Sequence, residues 1–161
     1  MTEPGPAAIR LAPGLWQAMV EHALRERPLE ACGLLAGRGD RAYAFYPTRN
    51  AARSPTRYDI DPQDLLRVTL ELEARGEEVW GIFHSHPATP AYPSRTDVRL
   101  AFYPSAFYLI CSTADPTRPV LRAFRIVDGA VSEVAVHAED GGAGGRGSPP
   151  ASPRPSAGGS P

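Results

Sequence analysis

The stretch "FHSHPATPAYPSRTD", residues 83 to 97, places two histidines, two serines and an aspartate within fifteen positions, directly after the apolar run "VWGI". His84 and His86 are separated by one residue. In an extended chain the side-chain period of two sends both to the same face, where they can ligate one ion together. Asp97 comes eleven residues after His86, past a loop and into the first turn of a following helix, so the chain can fold back and bring a carboxylate to the same point. Two imidazoles and a carboxylate suit Zn²⁺. Structural zinc sites are usually closed by four protein ligands, so a set of three implies an open position holding water, and hence catalysis.

Zinc lowers the pKa of bound water to about 7, but a metal hydrolase still needs a group to take the proton and pass it to the leaving amine. Glu30, just before an apolar segment, is the candidate. Ser94 is placed to donate a hydrogen bond to a tetrahedral oxyanion, and Ser85, between the two histidines, is expected to face away. Each residue also has a plain structural reading. A His-x-His at a strand end is commonly surface or core histidine, Glu30 alone reads as an exposed loop residue, and Ser94-x-x-Asp97 matches a helix N-cap with an acid in the first turn. For the serine the two readings are compatible. His22 and His137 are expected at the surface.

These groups must be positioned by the elements around them. "EVWGIFHSH" is almost continuously apolar until its end, the pattern of a central strand covered on both faces. The proline-punctuated loop after it leads to a short helix from about Ser94, and "AFYLICST" is a second continuous apolar strand. Earlier, Leu15, Trp16, Met19, Val20, Ala23 and Leu24 recur at helical spacing before Pro28 stops the helix. "ACGLLAGRGDRAYAFYPT" reads as a hairpin about Gly39-Asp40, and Asp61-Pro62 is an N-cap with proline at the first helical position, opening a helix that runs to about Gly76. "VLRAFRIVDGAVSEVAVH" is a second hairpin about Asp128-Gly129. Three helices and about six strands predict an α/β fold, a mixed sheet flanked by helices.

At 161 residues the chain has room for one such domain. The expected division is a flexible start over residues 1–7, the domain over 8–137, and a disordered Gly/Pro/Ser-rich tail over 138–161. With 17 basic and 18 acidic residues interleaved, the net charge of −1 offers no footprint for nucleic acid or anionic lipid. The apolar runs are too short to cross a bilayer and no targeting segment is evident, so the expectation is a cytoplasmic protein. Cys32 and Cys111, widely separated in apolar segments, read as buried free thiols.

The residues resemble those of the JAMM or MPN+ metalloproteases, whose motif is an upstream glutamate, then His-Ser/Thr-His, seven residues, Ser, two residues and Asp. "HSH", "PATPAYP", "S", "RT" and "D" match it position by position, and the glutamate lies in "LEACGLLAG". "SPTRYDIDP", "GIFHSHP", "AYPSRTD" and "AFYLICS" are similar to the compact prokaryotic branch, and the resemblance covers roughly residues 8 to 137. It implies one zinc ion per chain on His84, His86 and Asp97, Glu30 as general acid/base, Ser94 as oxyanion stabiliser, and a cytidine-deaminase-like fold. It also implies hydrolysis of the amide bond after the C-terminal Gly-Gly of a ubiquitin-like or sulfur-carrier protein, releasing cysteine or a lysine-linked target. The alternatives are a non-catalytic MPN-type binding module for such a carrier, and a zinc hydrolase for another amide or a nucleobase, although the Cys-x-x-Cys pair of a deaminase is absent. The chain has no segment long enough for the insertions that clamp ubiquitin in eukaryotic members. The carrier's glycine tail is expected to lie along an exposed strand edge near residues 50–59, with Tyr58 contributing to KM.

Overall fold

The two hairpins form where their turn residues place them. In the computed structural model, which describes residues 6–141, β2 (Cys32–Arg38) and β3 (Arg41–Thr48) join through Gly39, and β6 (Val120–Val127) and β7 (Ala130–Ala138) join through Asp128 and Gly129. Asp128 and Gly129 have φ of 51° and 81°, the double left-handed turn whose twist matches that of paired strands. The central strands β4 (Gly81–His86) and β5 (Phe107–Ser112) run parallel, and all their residues are buried, as near-continuous apolar runs require. β4 lies between β5 and the antiparallel β2.

A seventh strand, β1 (Ala8–Leu11), was not expected. It pairs in parallel with β7 on one side and with the start of β3 on the other, so the mixed sheet closes in the order β1-β3-β2-β4-β5-β6-β7. Four residues are too few for a periodic signal, yet Ile9 and Leu11 are fully buried. The strand β7 continues to Ala138, one residue beyond the expected end of the domain, and Glu139 then donates its N–H to the Leu11 carbonyl at 2.9 Å and pairs with Arg41 at 2.7 Å. The remainder of the expected tail, from residue 142, and residues 1–5 lie outside the described residues.

The helices cover both faces of the sheet. α1 (Leu15–Glu26) contributes Leu15, Met19, Val20 and Ala23 to a core shared with Ile9, Leu35, Phe83, Leu109, Leu121 and Val134, so the sheet curves around this helix. α2 (Pro62–Glu73) packs Val68 and Leu72 on the other face against Leu34, Ile82, Ile110 and Phe124. α2 starts where Asp61 accepts the N–H groups of Gln63 and Asp64, with Pro62 following as first helical residue. The third helix, α3 (Arg95–Arg99), is short and follows the loop after β4. Both cysteines are buried and free, and among the described residues no helix is long and apolar enough to cross a membrane.

Candidate metal centre

Strand alternation builds the first part of the site. Ile82, His84 and His86 point to the α2 face of β4, while Phe83 enters the core around α1. Ser85 faces the same way as Phe83, and its Oγ accepts the Ala31 N–H at 2.7 Å while its own N–H donates to the Ala31 carbonyl at 3.0 Å. The serine between the histidines thus pins the segment carrying Glu30 against the end of β4.

A capping box delivers Asp97. Ser94 Oγ accepts the Asp97 N–H at 3.0 Å, and the Asp97 carboxylate accepts the Ser94 N–H at 2.8 Å, reciprocal bonds that fix the start of α3. Asp97 Oδ2 lies 3.1 Å from His84 Nε2 and 3.1 Å from His86 Nε2, and the two Nε2 atoms are 3.1 Å apart. His86 Nδ1 lies 2.7 Å from the Pro90 carbonyl and must donate to it, which leaves Nε2 of the neutral ring with a lone pair aimed at Asp97. Electron-pair donors this close need positive charge between them. The spacing is near the edge of a tetrahedron with ligand bonds of about 2.0–2.1 Å, roughly 3.3 Å, so His84, His86 and Asp97 fit a shared metal ion, and they form the one such His/Asp group among the described residues.

The surroundings are dry. His84 is buried, its ring stacked on Tyr58 with centroids 4.4 Å apart, and its Nδ1 has no partner. Burial holds His84 below the ordinary histidine range, against the pull of Asp97, so it offers a neutral ligand. Burial would raise the Asp97 carboxyl, but its hydrogen bonds with His84 and His86 outweigh that and hold it well below the usual carboxylate range. Glu30, which alone could pass for an exposed loop residue, is 3% exposed and its Oε1 has no partner. Burial pushes its carboxyl up to about 8, with His86 opposing and Asp97 reinforcing the shift.

Residues 12–127 match the family described as the prokaryotic homologs of the JAB domain. The chain belongs to this family. The expected likeness to JAMM/MPN proteins and the mixed α/β fold therefore hold. The JAB-domain match spans all five motif residues. Among relatives of known name, the CysO-cysteine peptidase of Mycobacterium tuberculosis is 52% identical over 125 residues, covering 76% of this chain and 86% of that protein. The desampylase of Haloferax volcanii is 38% identical over 95 residues, covering 57% of this chain and 68% of that one. A solved structure from Desulfitobacterium hafniense superposes with a TM-score of 0.72 at 40% identity, covering 81% of this chain and 93% of the other.

Three features of this JAB domain escaped the sequence reading. Asn50 Nδ2 donates to the carbonyls of Glu30 at 3.0 Å and Arg57 at 3.1 Å, and its Oδ1 accepts the N–H groups of Ala52 and Asp59, both at 2.9 Å. By taking these backbone partners Asn50 folds residues 51–59 into a loop over the site, so the expected strand edge there is absent. Tyr58 is a wall of the metal centre rather than part of such an edge. His22, expected at the surface, is 6% exposed, its Nε2 3.0 Å from the Cys32 carbonyl behind the site, whereas His137 is exposed. The asparagine at the end of β3, before a run with no periodicity, was the available signal for the loop.

Proposed function

We propose that this chain is a zinc-dependent peptidase that hydrolyses the amide bond after the C-terminal glycine of a ubiquitin-like or sulfur-carrier protein, releasing cysteine or a lysine-linked target. The observation that carries the reading is the convergence of His84, His86 and Asp97 at 3.1 Å beside a buried, unpartnered Glu30 carboxyl. The names of the relatives, a CysO-cysteine peptidase and a desampylase, support the substrate class.

His84, His86 and Asp97 would hold one zinc ion. When bound, zinc supplies Lewis acidity that polarises the scissile carbonyl and acidifies water. Glu30, with its carboxyl raised to about 8, is matched to proton transfer near neutral pH. It takes a proton from the attacking water and returns it to the departing amine. Ser94 serves twice: its oxygen accepts the Asp97 N–H as helix cap, and a hydroxyl that accepts one bond still has its own proton to donate. That proton stabilises the oxyanion of the tetrahedral intermediate. Ser85, bonded to the Ala31 backbone, and Asn50, bonded to the Glu30 carbonyl, hold this stretch of chain from two sides and keep the Glu30 carboxyl at the site.

The test is mass spectrometry of a Gly-Gly-ending carrier, extended by one cysteine or joined to a lysine peptide, incubated with the enzyme and with a chelated control. Chelator-sensitive release of cysteine assigns the protein to cysteine release from a sulfur carrier, and release of the lysine peptide makes it a deconjugating protease. Intact substrates with zinc demonstrably bound would refute the peptidase reading in favour of a carrier-binding module.

A further inference from the structure

Among the described residues the arginines divide by position. Seven of them, including Arg10, Arg41 and Arg122, each hold a carboxylate within 3.5 Å. Arg125 lies over the Phe107 ring at 5.4 Å and donates to the Pro104 carbonyl. Arg25 and Arg118 hold no carboxylate, on α1 and on the turn between β5 and β6. The other five, Arg27, Arg53, Arg57, Arg95 and Arg99, are all exposed and all sit on the three segments that surround the histidines of β4. Arg53 and Arg57 flank Ser54, whose carbonyl accepts the Glu30 N–H at 2.9 Å, and Tyr58, which stacks on His84. Arg95 and Arg99 bracket Asp97 on α3. Arg27 is anchored through Nη1 on the Thr113 carbonyl and on the Pro87 carbonyl next to His86. On these segments the only exposed acid is Asp59, because Glu30 and the Asp97 side chain are buried.

Set beside the site residues on their segments, the five guanidinium groups give the site a basic rim; Arg27 is held by two carbonyls, and the other four have no ion pair among the described residues. The rest of the chain must be net acidic, since the whole carries −1. A glycine tail has no side-chain charge to meet such a rim. A single α-carboxylate needs one guanidinium, whereas five spread over three segments suit an extended surface. Three residues beyond Arg99, Phe102 is 72% exposed and supplies an apolar contact at the rim. We infer that this rim is the docking surface for the folded body of the carrier, which presents an acidic face around its tail. The inference takes the identity of the partner from the peptidase reading, but the charge distribution stands without it.

The test uses the CysO-cysteine conjugate as probe, with binding to the isolated, metal-loaded protein followed by fluorescence anisotropy at low and high salt, and hydrolysis scored separately. Wild type should bind it with an affinity that falls about tenfold or more as salt screens the rim. The double variants R53E/R57E and R95E/R99E, checked for native melting, should weaken low-salt binding by about tenfold or more and flatten the salt dependence. The variant R38E, at the end of β2 opposite to Glu30, should behave as wild type. Poly-glutamate should compete with the conjugate and poly-lysine should not. Salt-independent binding, no binding by wild type, or reversal variants that bind as wild type would each overturn the docking surface. Binding that follows this pattern without hydrolysis would uphold it while refuting the peptidase reading, and hydrolysis with salt-independent binding would do the reverse.

Discussion

Two buried polar atoms at the site have no partner, Glu30 Oε1 and His84 Nδ1, and an unmade bond in a dry site is costly. At Glu30 the cost has a measurable form. Its carboxyl has a folded-state value of about 8 against an ordinary 4.5, so the folded state binds the proton more tightly than the unfolded one. Stability from this group is full below about pH 4.5 and is lost as pH rises through about 8. The metal-stripped wild type should therefore lose stability between pH 5 and 8.5, by a few kcal/mol at most, relative to Glu30→Gln, which cannot titrate. Parallel pH curves from thermal melts would contradict it. In the metal-loaded enzyme the same variant should keep its zinc and lose about 10²- to 10⁴-fold in turnover, read by stoichiometric metal analysis beside kcat. Tyr58 tests the other orphan's ring. Removing its stack on His84 with Tyr58→Ala should weaken zinc binding by about 10- to 100-fold, as loss of outer-sphere support does; chelator competition giving an unchanged affinity would show that the ring only fills space.

Elements differ in how visibly the sequence announces them. β4 and β5 are long apolar runs, both hairpins carry turn dipeptides, and α2 opens on Asp61-Pro62, so each was legible from local chemistry. The His84, His86 and Asp97 cluster was legible too, because its spacing depends on one strand end and one helix start. Residues 51–59 read as a run without regular periodicity, but the shape of that loop was not legible, since it comes from a single side chain, Asn50, bonding backbone on either side of it, as far away as Glu30. Nor was the burial of His22, which depends on α1 being wrapped by the sheet. The tether between the loop and α2 yields a prediction at this scale. Arg49 binds Asp64 through its guanidinium at 3.0 Å and its N–H at 2.8 Å, and these bonds, the guanidinium first, bring the Asp64 carboxyl down to about 2 despite burial. A depressed carboxylate contributes stability above its unfolded value near 3.8 and loses it as pH falls toward 2. Asp64→Asn should cost about 1–2 kcal/mol at pH 7, with the difference from wild type closing in acid. A gap that persists at pH 2.5 would assign the loss to packing.

Closure of the sheet belongs to the whole molecule, and no local pattern foretold it. β1 is four residues long, and its partners, β3 and β7, start more than thirty and more than a hundred residues away. The chain's two described ends meet at this seam. Arg10 pairs with Asp40 at 2.9 Å, Glu139 pairs with Arg41 at 2.7 Å, and Asp140 accepts the Gly14 N–H at 2.9 Å. That last bond matters beyond its own energy. Gly14 caps α1 with φ of +87° and no side chain of its own to satisfy the first turn, so a carboxylate from the far end of the sequence supplies the acceptor and favours the positive end of the helix dipole. α1 in turn fills the core behind β4, where Phe83, next to His84 in sequence, packs toward the helix. Residues 137–140 are thereby connected, through α1 and Phe83, to the strand that carries the two histidines. A chain ending at Val136 should melt several degrees below one ending at Gly141, consistent with about 2 kcal/mol for a lost cap and strand end. Because the strand that carries the histidines packs on that helix through Phe83, the shorter chain should also bind zinc less tightly. Equal melting of the two chains would mean that β1 and β7 hold the seam without the residues that follow them.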